Sequence, residues 1–255
     1  MPEFCVDLTI TVETAMSVGG AGTVGTLADK SLLRDGWNRP IVPASQVKGR
    51  LRHACEAIAR GLGIAICRSP DPETTCPHLA DSDIPTQGGE RRCLICQIFG
   101  SPAYPGRLHF RDLVYDPWFP ESPGERGDIL EKESDEKEPD ERGQLYLSRE
   151  PLRPGVGLDR RRGVVQERLL FLTETTLPGT RPRFARKKAI EGALPGPGHA
   201  ILVLMGLAQI LNWGGAKSRG MGWAAVSYAA QFEDQPFKLD DSQGKEALRQ
   251  LCTPN

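Results

Sequence analysis

The chain has 255 residues, 39% of them hydrophobic and 25% charged, which suits one large domain or two small ones around a real apolar core. Its 28 glycines and 21 prolines call for many turns and long loops and exclude a plain helical bundle. The net charge of −1 conceals segregation: residues 117–143 hold 10 acidic and 4 basic side chains, whereas residues 146–190 hold 11 basic and 4 acidic.

Residues 4–12 alternate Phe4, Val6, Leu8, Ile10 and Val12 with mostly polar neighbours, the pattern of a half-buried strand. A glycine-rich loop, SVGGAGTVGT (17–26), leads past Asp29 to Pro43. There Ser45 is a candidate N-cap for a helix carrying Val47, Leu51, Ala54, Cys55, Ile58 and Leu62 at helical spacing. Residues 64–98 are irregular and hold four of the seven cysteines. Residues 107–116 alternate again as a strand, and the acidic, Pro/Gly-containing stretch 117–143 reads as a flexible insertion. Short strands are expected near 144–148 and 168–176, then a basic stretch at 181–188. The apolar run His199–Trp213 predicts a buried helix, GGAKSRGMG (214–222) a loop, and residues 223–230 a closing strand before a polar tail at 231–255. These elements predict an α+β fold, with sheets covered on one face by helices.

No apolar run reaches the roughly 18 residues of a membrane span, and the N-terminus lacks the basic and apolar regions of a signal peptide. A cytoplasmic location is the expectation, and there seven cysteines favour metal or free thiols over disulfides. A basic region beside an acidic excursion suggests a polyanion partner.

Three motifs carry chemistry. IVPASQVKGRLR (41–52) places Ser45, Lys48, Arg50 and Arg52 at a helix start, where free amides and the dipole favour a phosphate. The same residues would also suit an ordinary capped surface helix. In GGAKSRGMG the glycines allow close backbone approach, with Lys217, Ser218 and Arg219 available to a phosphate; a simple helix-to-strand turn reads the same way. Cys93 and Cys96 form a C-x-x-C pair, and with Cys67 and Cys76 they make a candidate tetrahedral structural zinc site, His78 being the alternative fourth ligand. A thiol redox pair or plain buried cysteines are the competing readings.

The order of the motifs resembles the RAMP superfamily, specifically its backbone subunits in type III CRISPR complexes. The resemblance runs through most of residues 4–230: the SVGGAG loop, Asp29, IVPASQVKGRLR (similar to the family's IPGSSLKGxLR, with Ala44 for its glycine), CLICQIFG, GRLHFRD, GLDRRRG, LLFLTETTLPGT and GGAKSRGMG. It implies a ferredoxin-like or RRM-type core in one RNA-binding domain over 1–255, with a zinc-braced insertion at 64–98. It also implies a subunit lying along a guide RNA beside other RAMP-type subunits and a large subunit, gripping the RNA backbone and using a β-hairpin thumb. In this resemblance Asp29 takes the place of the aspartate that cleaves target RNA with Mg or another divalent ion, while Arg160 and Arg161 line the RNA groove or meet the next subunit. A non-cleaving backbone or capping subunit, a guide-processing endoribonuclease and a zinc hydrolase are the alternatives.

Overall fold

The computed structural model describes residues 1–19, 28–69, 71, 73–76, 92–115, 151–176 and 181–252. The expected flexible insertion at 117–143, the strand at 144–148, His78 and residues 20–26 of the first glycine loop lie outside the described residues.

Strand β1 (Glu3–Val12) runs down the middle of an antiparallel sheet. The alternation seen in sequence is its structural logic: Phe4, Val6, Leu8, Ile10 and Val12 are all buried on one face. The sheet continues through β2 (Ile41–Val42), β3 (Leu108–Phe110), β4 (Leu113–Tyr115), β7 (Arg183–Ala193), β8 (Ala224–Phe232) and β9 (Gln235–Pro236), in the order β2-β4-β7-β1-β8-β9, with β3 also pairing to β7. Between β4 and β7, β5 (Leu152–Asp159) and β6 (Val164–Glu174) form a separate two-stranded hairpin.

Helices cover the buried face of β1. Helix α1 (Ala44–Gly61) follows the first half of the sheet and turns Val47, Leu51, Cys55, Ile58 and Ala59 inward. Helix α2 (Leu94–Phe99) is a short buried turn, and α3 (Pro197–Gln209) packs between α1 and α4 (Ser242–Cys252). Sandwiched on both sides, α3 is apolar nearly all round. The succession β1-α1-(β3, β4)-β7-α3-β8, with β1 between β7 and β8, is a β-α-β-β-α-β arrangement in one mixed α+β layer pair.

Several expectations shift. The strand expected at 107–116 is two short strands, because the chain turns at Arg111–Asp112: Arg111 pairs with Glu191, and Asp112 reaches α1. Ser45 is not the N-cap. Pro43 holds that position, and the Asp112 carboxylate accepts the Ala44 amide at 2.7 Å from another element. The expected buried helix ends at Gln209, and Ile210–Trp213 continue as extended chain. The segment expected as a polar tail carries β9 and the amphipathic α4, whose Ala247 is buried and whose Leu248 and Leu251 pack on the core. No helix is long and apolar enough to cross a membrane among the described residues.

Candidate nucleic-acid groove and metal centre

A groove of about 720 Å³ opens where four segments meet. Pro43, Ser45 and Gln46 bring the first turn of α1 to one side. Ser17, Val18 and Gly19, just past β1, line it next to Gly215, Ser218 and Arg219 of the glycine-rich loop. The root of the β5–β6 hairpin supplies Arg153, Gly155, Phe171 and Thr173, and Lys30 completes the set.

The loop reaches the groove because it turns left-handed at Gly214, Ala216, Gly220 and Gly222, which leaves Lys217–Arg219 as one exposed 3-10 turn. Phe171 owes its position to the hairpin register, which sets it opposite Gly155; a Cβ there would overlap the ring. Two cations lean on that ring: Lys30 Nζ is 5.6 Å and the Arg219 guanidinium carbon 5.5 Å from its centre, both within cation–π range. Gln46 Oε1 is buried without a hydrogen-bond partner among the described residues.

Asp29 sits beside this wall. Its amide donates to the Leu172 carbonyl at 2.9 Å, and the Leu172 amide donates to Asp29 Oδ2 at 2.7 Å. Next along, the Glu174 amide donates to the Lys30 carbonyl, and the Glu174 carboxylate accepts the Leu32 amide at 2.6 Å and the Arg34 guanidinium at 3.1 Å. The Asp29–Arg34 segment is thereby stitched to the hairpin root.

The groove thus unites Ser45, Ser218 and Arg219 from two separate sequence motifs, with Lys217 adjoining and Asp29 next to its Lys30. Other candidates lie elsewhere. Lys48 is half-buried on α1 outside the lining. Arg50 turns inward, donates to the Asn212 carbonyl, and is held below the usual guanidinium range by burial. Arg52 lies between Glu56 at 3.0 Å and the Gly100 carbonyl at 2.9 Å; burial alone would lower its pKa, but the Glu56 hydrogen bond and the cysteine charge outweigh that and raise it. Arg160 and Arg161 are exposed at the far tip of the hairpin, in a turn where Asp159 accepts the Arg161 amide at 2.9 Å. Lys30, Gln46, Arg153 and Phe171 were missed from the sequence. The one available signal was the β6 alternation, which puts Phe171 and Thr173 on one face.

The second constellation is buried. The Sγ atoms of Cys67, Cys76, Cys93 and Cys96 all lie within 4.8 Å of one another. Cys67 and Cys96 are 3.4 Å apart and Cys93 and Cys67 3.7 Å, too far for a disulfide. A tetrahedron with Zn–S bonds of roughly 2.3 Å has edges of about 3.8 Å, so these spacings fit a metal held by four sulfurs. Cys93 caps α2 and Cys96 follows one turn in, which brings both C-x-x-C thiols to one point. Hydrogen bonds from the Cys67 and Cys96 thiols hold the Cys93 thiol down at about 4, while the same network pushes Cys96 up. The Arg52 guanidinium, 3.8 Å from Cys96 Sγ, adds a cation against the cluster from α1. All four candidate ligands come together and could hold a metal such as zinc.

Among known proteins, the family model of the RAMP superfamily matches residues 9–225. No curated protein matches the chain. The matched span takes in the end of β1, α1, the cysteine cluster, the hairpin, β7 and the glycine-rich loop. The chain belongs to the RAMP superfamily, CRISPR-associated proteins that bind RNA within multi-subunit complexes.

Proposed function

We propose that this chain is a backbone subunit of a type III CRISPR ribonucleoprotein, with a ferredoxin-like core, and that its groove grips the guide RNA backbone. The observation that carries the reading is the groove itself: Lys30, Arg153 and Arg219 converge there with an aromatic ring and three serines. Cations and hydroxyls suit phosphates, and they suit any guide sequence, because base pairing with the target supplies specificity. Phe171 offers a base a stacking surface. The β5–β6 hairpin, with Arg160–Arg162 at its tip, is the thumb that displaces a base pair and contacts the next subunit.

In the same proposal Asp29 cleaves target RNA beside the hairpin root. The 2′-hydroxyl next to the displaced step attacks the adjacent phosphate and displaces the 5′-oxygen of the following nucleotide, leaving a 2′,3′-cyclic phosphate. Asp29 orients the hydroxyl through its remaining oxygen and accepts its proton, and water protonates the departing 5′-oxygen. Asp29 would help to hold Mg²⁺ or another divalent ion, which would neutralise charge on the attacked phosphate. Zinc at Cys67, Cys76, Cys93 and Cys96 braces the segment between α1 and α2, and an all-thiolate set leaves no open position for hydrolysis.

One observation favours a second reading, a non-cleaving subunit: Asp29 already caps the Leu172 amide. A guide-processing ribonuclease using histidine gains no support from His53, His109 or His199, none of which lines the groove. The test is to purify the protein from its operon and sequence the RNA it carries. Short RNAs sharing one repeat-derived tag are expected, and their absence would reject the reading.

A further inference from the structure

The face of the central sheet turned away from the helices carries a second constellation. Cys5 and Asp7 of β1, Arg111, Lys187 and Lys188 of β7, and Ala229 and Gln231 of β8 surround a shallow hollow of about 370 Å³. It shares no lining residue with the groove.

Its charge comes from a fault in the strand pairing. Val6 stands opposite Ile190 and Leu8 opposite Arg186, so Asp7 alone faces three residues, Lys187, Lys188 and Ala189. In a regular strand one of Arg186, Lys187 and Lys188 would point into the core. The bulge instead leaves all three exposed, between the buried pairs Phe184–Ala185 and Ala189–Ile190. Lys188 accepts φ +48°, a left-handed conformation unusual for lysine, and Asp7 fixes it by accepting its amide at 2.7 Å. Asp7 thus binds a backbone amide, and Glu191 is paired with Arg111. Arg186, Lys187 and Lys188 have no acidic partner among the described residues. Natural bulges re-aim side chains, and this one aims three cations at solvent.

We propose that this face is a second binding site, for the phosphate backbone of single-stranded nucleic acid, separate from the groove. Small neighbours such as Ala229 let an extended polyanion lie across the strands, and Lys187 and Lys188, two cations on consecutive residues, match closely spaced phosphates. No aromatic residue lines the hollow, so contact is with backbone rather than stacked bases.

The test uses the full chain and a fluorescent oligouridine RNA of about twelve nucleotides, titrated at several salt concentrations. The groove is first disabled with Lys30→Ala and Arg219→Ala. The double variant should retain salt-sensitive binding. Adding Lys187→Ala and Lys188→Gly should weaken that binding about tenfold and cut the salt slope by about one unit. Glycine at 188 suits the positive φ, and an unchanged melting temperature verifies the fold. Equal affinity with and without the Lys187 and Lys188 substitutions would overturn the proposal, as would a groove-disabled protein that binds no RNA. So would a face that captures polyglutamate but not RNA, which makes it a contact for an acidic protein. If the groove substitutions change nothing while the face substitutions abolish binding, the groove reading fails and this one stands.

Discussion

The Leu172 amide donates to Asp29 Oδ2 at 2.7 Å while the Leu172 carbonyl accepts the Asp29 amide at 2.9 Å. One residue of the hairpin therefore holds Asp29 by both its backbone amide and its carboxylate. Asparagine keeps an acceptor oxygen for Leu172 but loses the charge, so it separates bracing from chemistry. Asp29→Asn in the reconstituted complex should retain guide and target binding and lose target cleavage by about a hundredfold or more. Cleavage at the wild-type rate would make Asp29 a brace and the chain a non-cleaving subunit.

The capping of α1 by Asp112 gives a stability prediction that runs against the sequence pattern. Asp112→Ala leaves the Ala44 amide without its partner and should cost about 1 kcal/mol in chemical denaturation. Ser45→Ala should change stability by only a few tenths, since Ser45 makes no cap, yet it should weaken RNA binding. A larger stability loss from Ser45→Ala than from Asp112→Ala would reverse the assignment.

Phe171 separates stacking from charge. Phe171→Ala removes the ring near Lys30 and Arg219 and should weaken RNA binding by about 1–3 kcal/mol, with little change in salt slope. Phe171→Tyr should bind nearly as the wild type. Equal loss in both variants would point to hairpin packing against Gly155 instead.

The cysteine cluster should hold about one equivalent of zinc in freshly purified, reduced protein. Cys93→Ser should release it and lower the melting temperature, because the three remaining buried thiols then lose the metal that ties them together. Metal analysis finding none would reject the site.

Much of this was legible in advance, for physical reasons. Alternation at Phe4–Val12 and helical spacing at Val47–Ile58 survive because both elements have one face on the core. The C-x-x-C pair was visible because the ligand spacing is local. Arg50 and Arg52 misled, because a motif does not say which way a helix faces: Arg50 lies between buried Val47 and Leu51 and is drawn to Asn212, and Arg52 is drawn to Glu56. Phe171 and Lys30 are far apart in sequence and meet only when the hairpin folds back on the Asp29 segment. The bulge at Arg186–Lys188 breaks the period by which strands are read, so β7 appeared only as a basic stretch.

The most direct measurement of the central claim is guide RNA binding by Lys30→Ala/Arg219→Ala across several unrelated guide sequences and salt concentrations. The expected result is a uniform loss of affinity for every guide, with the salt slope reduced by about 0.7 for each phosphate contact removed. A loss confined to particular sequences, or unchanged affinity, would contradict a groove that grips the RNA backbone.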